Sequence, residues 1–138
     1  MANTHSLDLE LGSSQYASRA DTVSLSITGN LTIECWIKPE STGTLHDLVA
    51  KWDTTLGNRR SYRLMYDSSN KLQFQVSADG ISGPTASSTT QIPAGAWAHV
   101  AVTYNAAAGT CIFYLNGGQC SWTICRPYLP AWGVRVRE

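Results

Sequence analysis

A chain of 138 residues with 43% hydrophobic content is long enough to bury one real core, and it is read as a single domain. Ten basic residues balance ten acidic ones, and only 14% of positions are charged. That balance argues against nucleic acid or an anionic membrane surface as the partner. The N-terminus reads Met1-Ala-Asn-Thr-His-Ser, without the basic and apolar stretches of a secretory signal, and no apolar run reaches a membrane-spanning length.

In chain order, weak strand patterns over 6–11, 47–52 and 86–91 accompany five stronger ones. Leu31, Ile33, Cys35 and Ile37 point one way, with Thr32, Glu34, Trp36 and Lys38 on the other side. Tyr62, Leu64 and Tyr66 make a second such face. Leu72, Phe74 and Val76 alternate with Lys71, Gln73 and Gln75 in the cleanest half-buried strand. Ala98, Val100, Val102 and Tyr104 follow, and then Cys111, Phe113 and Leu115.

Turn residues separate these runs. Asp67-Ser-Ser-Asn70 and Asn105-Ala-Ala-Ala-Gly109 join neighbouring strands, and Asn116-Gly117 is the dipeptide of a type I′ hairpin. Pro39 and Pro93 fall where strands stop or start. No segment carries a helical apolar stripe. The pattern predicts an all-β fold, a two-sheet antiparallel sandwich paired mostly as meanders.

Specific motifs sharpen this reading. Ser6-Leu-Asp-Leu-Glu-Leu-Gly-Ser-Ser-Gln-Tyr16, Leu31-Thr-Ile-Glu-Cys-Trp-Ile-Lys-Pro39, Leu48-Val-Ala-Lys-Trp-Asp53, Gly95-Ala-Trp-Ala-His-Val-Ala-Val-Thr-Tyr104 and Gly109-Thr-Cys-Ile-Phe-Tyr-Leu-Asn-Gly117 occur in that order. They resemble the LamG-like jelly-roll domains of the concanavalin A-like lectin/glucanase superfamily. The resemblance implies a jelly roll with ligand sites on its concave face or rim loops. It also implies a non-catalytic extracellular or cell-surface module that binds carbohydrate or a glycoconjugate within a larger chain. A structural or adhesive spacer of a surface or phage-fibre protein, and an accessory domain of a glycoside hydrolase, are the alternatives.

Catalysis finds little support in the residues. Glycoside hydrolysis needs two carboxyl groups about the scissile bond, and the Glu-x-Asp-x-x-Glu strand of the laminarinase-type relatives is missing. Glu34 reads as a solvated strand residue. His5 lies in the first few residues, His46 in a loop, and His99 at a position where the family carries a framework histidine, which predicts a structural hydrogen bond. The family frequently holds calcium. Glu10 could be a first contributor, yet the C-terminal Asp-bearing strand has no counterpart, so no cofactor is assigned and calcium stays an open alternative. Asp53, Asp67 and Asp79 read as turn-forming acids.

Sugar rings stack their C–H faces on indole and phenol rings, which directs attention to the aromatics. Trp52, Asp53 and Tyr62 are the predicted ligand-binding rim. Trp36 and Trp97 are assigned to packing. Asn30-Leu-Thr32 satisfies the glycosylation triplet, a short and common pattern. Cys35 and Cys111 read as buried free thiols, and Cys120-x4-Cys125 lacks the second pair that zinc needs.

After Gln119 the resemblance stops and the composition changes, with two Cys, two Trp, two Pro and three Arg in the last nineteen residues. Residues 1–119 are therefore assigned to the domain, and 120–138 to an atypical tail that reads as frameshifted or mis-called. A sandwich incomplete at its C-terminus is expected to show unpaired edges and an uncovered apolar face.

Overall fold

The computed structural model describes residues 5–40, 43–55, 57 and 59–125. Among these, eight strands form: β1 Leu31–Ile37, β2 His46–Asp53, β3 Arg59–Tyr66, β4 Lys71–Val76, β5 Thr85–Gln91, β6 Ala98–Asn105, β7 Thr110–Leu115 and β8 Gly118–Ile124. They build two four-stranded sheets, β1-β6-β7-β8 and β2-β3-β4-β5, with every neighbouring pair antiparallel. The expected all-β sandwich is what forms.

Alternation places the core. Leu72 and Phe74 of β4 turn inward while Lys71, Gln73 and Gln75 stay partly exposed. Leu64 and Tyr66 of β3 and Ala86 of β5 extend that inner face. Opposite them lie Ile33, Val100, Val102, Tyr104, Cys111 and Phe113 of the other sheet. The Phe74 and Tyr104 rings meet across the interior with centroids 5.7 Å apart and planes tilted by 45°. Each such aromatic contributes roughly 2–3 kcal/mol through the area it removes from water. Ser88 is the buried polar residue of the core. Its Oγ accepts from the Leu72 amide at 3.0 Å and donates to the Thr90 carbonyl at 2.8 Å. Both sides of the hydroxyl are satisfied, which removes most of its burial cost.

The hairpins follow their residues. In the β3–β4 turn the Asp67 carboxylate accepts from the Ser69 and Lys71 amides at 2.8 and 3.0 Å, and Asn70 takes φ 58°. Asn116 and Gly117 hold φ of 50° and 79° between β7 and β8, the left-handed pair that a type I′ turn requires. Asn116 is tied down further, because its Oδ1 accepts from the His99 amide at 2.9 Å and its own amide donates to the His99 carbonyl at 2.8 Å.

Four expectations need correction. Residues 6–11 alternate in sequence, yet the chain from 5 to 10 is irregular and ends in a 3-10 turn at Leu11–Ser13. A strand needs a ladder partner for its backbone groups; this segment lies along no sheet edge, and Leu7 and Leu9 remain exposed. His46, expected in a loop, opens β2 and stacks its ring on Tyr66 at 4.8 Å. Cys35, expected to be buried, is only half-buried, although burial still pushes its thiol up. The assigned boundary between 119 and 120 falls inside β8, which pairs with β7 from Leu115↔Gly118 to Thr110↔Ile124. The rest of the assigned tail, 126–138, lies outside the described residues.

Candidate functional site

An open groove of about 1340 Å³ runs between the N-terminal segment and the β2–β3 hairpin. Lys51 of β2 fastens that segment. Its ammonium meets the Asp21 carboxylate at 2.9 Å and donates to the Leu25 carbonyl at 3.2 Å and to Ser26 Oγ at 3.0 Å. The hydrogen bond and charge of Lys51 hold the Asp21 carboxyl below the usual carboxylate range. The Tyr62 hydroxyl donates to the same Leu25 carbonyl at 3.2 Å. Further along, Asn30 Oδ1 accepts from the Ala106 amide at 3.0 Å, which ties the segment to the end of β6. The glycosylation triplet thus begins on an asparagine whose side-chain oxygen is already engaged.

All three residues of the predicted rim line this groove. Trp52 stands near the end of β2, with the Arg63 guanidinium 4.8 Å from its ring centroid and that of Arg60 at 5.9 Å. Cation–π contact of this kind holds the indole in place. Gly83 backs the ring so closely that a Cβ there would overlap the indole. Asp53 Oδ1 accepts from the Thr55 amide and hydroxyl, both at 2.7 Å, and so shapes the loop that follows β2. Tyr62 is buried, its ring in the groove floor. Tyr16, 80% exposed, stands among the lining residues of the N-terminal segment. The groove therefore combines rings, carboxylates and the cations of Arg19, Lys51, Arg59 and Arg60. The Arg60 Nε is buried without a hydrogen-bond partner.

Arg63 and Gly83 escaped the sequence reading because they are distant in sequence from Trp52 and carry no motif. Only the β2–β3 register and the approach of the loop after β4, where the Arg60 amide donates to the Gly80 carbonyl at 3.0 Å, bring them to the indole.

Trp36 and Trp97 are not interior packing residues. They are 65% and 52% exposed, Trp36 on the outer side of β1 and Trp97 just before β6. The His99 ring lies 5.3 Å from that of Trp36, and its Nε2 is 3.5 Å from Glu34 Oε2. The parity of β1, with Ile33 inward and Glu34 and Trp36 outward, carried this signal. Glu34 sits on that open face beside a histidine that also meets an indole.

The turn acids are occupied. Asp79 accepts from the Ile81 and Ser82 amides at 2.8 Å each, from Ser82 Oγ at 2.7 Å and from Ser77 Oγ at 3.0 Å. Among the described residues no group of three His, Cys, Asp or Glu converges as a metal site. The Glu10 carbonyl serves a local turn, accepting from the Ser13 and Gln15 amides at 3.1 and 3.4 Å. No described helix is long and apolar enough to cross a membrane.

Comparison with known proteins agrees with this architecture. No curated protein matches the sequence. Two of the solved structures to which the chain is similar illustrate the comparison. One is a protein of Bacteroides ovatus, provisionally described as carbohydrate binding, at 18% identity and TM-score 0.52, over 70% of this chain and 26% of that one. The other is the native heptameric SAP-like pentraxin of Limulus polyphemus, at 17% identity and TM-score 0.46, over 70% of this chain and 45% of that one. The chain thus spans less than half the length of either. A family model described as the concanavalin A-like lectin/glucanases superfamily matches residues 11–132. By that match, and by its two antiparallel sheets, the chain belongs to the concanavalin A-like lectin/glucanases superfamily.

Proposed function

We propose that this chain is a LamG-like, non-catalytic module that binds carbohydrate or a surface glycoconjugate, acting outside the cell or at its surface as part of a larger protein. The observation that carries the reading is the groove, where Trp52, Asp53 and Tyr62 come together with Tyr16 and four cations. Saccharides offer apolar C–H faces and many hydroxyls, and such a mixed wall answers both. In this reading Trp52 and Asp53 meet the ligand, Tyr62 holds the floor, and Arg60 supplies donors to hydroxyls.

A second surface is favoured by one specific observation, the exposure of Trp36 beside His99, whose ring also meets Glu34. Indoles open to solvent on a strand face are stacking platforms in the same chemistry. A glycan array run with and without calcium tests both surfaces, using the wild type, Trp52→Ala and Trp36→Ala. Loss of signal in Trp52→Ala alone supports the groove, and loss in Trp36→Ala alone moves the site to the outer face. No bound glycan under either condition overturns the reading in favour of a structural spacer. Calcium is expected to change nothing.

A further inference from the structure

We infer that residues 15–30 form a latched strap that walls the groove: Lys51 is the latch, and the strap swings open about Thr28 and Gly29 while the sandwich stays folded. The inference does not depend on what the groove binds.

Burial sets the strap apart from the sheets. Between 15 and 30 every residue is exposed except Thr22 and Leu25, which are half-buried. Tyr16 and Val23 turn most of their apolar surface to water, Val23 at 92% exposure. Among the described residues the buried core begins at Ile33, and Leu31 is the first residue packed against it. Hydrophobic burial, the main force that holds a segment to a fold, therefore adds little here.

Polar contacts hold the strap, and they converge on one turn. Residues 22–26 carry their own bonds. The Leu25 amide donates to the Thr22 carbonyl at 2.9 Å, the Ser26 amide donates to the Val23 carbonyl at 3.0 Å, and the Thr22 and Ser24 hydroxyls lie 2.9 Å apart. Bonds inside the turn survive when the turn moves. Lys51 grips it from both ends, through Asp21 just before it and through Leu25 and Ser26 at its close. The Tyr62 hydroxyl adds one bond to the same Leu25 carbonyl. Further on, Asn30 is tied to the Ala106 amide at the end of β6. Thr28 and Gly29 lie exposed between these two anchors, and beyond its chain neighbours no atom stands within 4 Å of where a Gly29 Cβ would be. Small residues with free space around them suit a hinge.

The latch is weak because of where its partner sits. The Asp21 carboxylate is 68% exposed, although the Lys51 ammonium is partly buried. Such an ion pair contributes little in water, and dissolved salt screens it further. A segment held this way opens locally at much lower free energy than the core strands. Opening takes Tyr16 and Arg19 out of the groove lining, so ionic strength sets how often the groove is walled on both sides.

Trypsin cleavage after Arg19 reads the open form, because the protease must thread residues on both sides of the bond. Each rate is divided by that of a free peptide spanning residues 13–26 at the same salt. Wild-type cleavage after Arg19 should then rise as salt is added. Lys51→Met should cleave about tenfold faster than wild type at low salt, through loss of charge-assisted bonds, and should lose the salt dependence. Lys51→Arg should recover part of the protection, and each variant should keep a cooperative thermal transition. Should Lys51→Met fail to fold, Asp21→Asn at the exposed end of the pair carries the expectation in the same direction. Cleavage that ignores salt in the wild type and is unchanged in the variants overturns the inference. So does cleavage that appears only where thermal unfolding begins.

Discussion

Asp79 shows how much one side chain can organise. Hydrogen bonds from the Ser82 hydroxyl and from the Ser82 and Ile81 amides, with the Ser77 hydroxyl, hold its carboxyl well below the usual aspartate range. Since the folded-state value lies below the unfolded one, the ionised carboxyl favours the folded loop above about pH 4, and that contribution is lost as pH falls through the folded value. A side-chain carbonyl NMR titration should place the Asp79 midpoint below that of a model aspartate; a midpoint at the model value would show that the loop geometry does not hold in solution. The turn-forming role of Asp53, Asp67 and Asp79 was legible because short acids beside Ser, Thr and Gly cap their own backbone. The outward aim of Trp36 was also legible, since it shares parity with Glu34. Its solvent exposure was not, because parity names a face without saying what covers it. Nor was the surround of Trp52, which depends on Arg63 from the neighbouring strand and on the loop at Gly83.

Among elements, the turn between β7 and β8 was the most readable, whereas β8 itself was missed, because its residues from Cys120 on were assigned to the tail. Asn116-Gly117 specifies that turn directly, and the structure adds the paired bonds between Asn116 and His99. Asn116→Ala should forfeit both the tolerance for positive φ and the bond to the His99 amide. The expected cost is about 1–3 kcal/mol by urea denaturation, with the slope unchanged. A change below a few tenths would mean that the hairpin is set by its strands rather than its turn. The segment over 6–11 illustrates the opposite case. Its alternation was visible, but a strand is a property of a pair, and the pairing partner of a terminal segment is distant in sequence. Instead, this segment leads into the wall of a groove, fastened further on through Asp21, Leu25 and Ser26 to Lys51.

At the scale of the whole molecule, the core explains why the fold could be read at all. Inward residues of both sheets were named by period-two alternation, and Phe74, Tyr104 and Phe113 meet where that pattern placed them. Phe74→Ala should cost about 3–5 kcal/mol, read as a fall in the urea midpoint, because the facing sheet cannot collapse into the void. A loss under 1 kcal/mol would show that the sheets do not pack as described. The site was less legible than the fold, since it is assembled from a terminal segment, a hairpin and a loop that share no local pattern. The central claim is that the groove around Trp52 binds saccharide. The most direct test is calorimetric titration of wild type and Trp52→Ala with the oligosaccharide that gives the strongest array signal, with thermal unfolding of both proteins alongside. An indole contributes on the order of 1 kcal/mol beyond its buried area, so affinity should fall at least about fivefold while the variant still unfolds cooperatively; equal affinity in a folded variant would contradict the assignment.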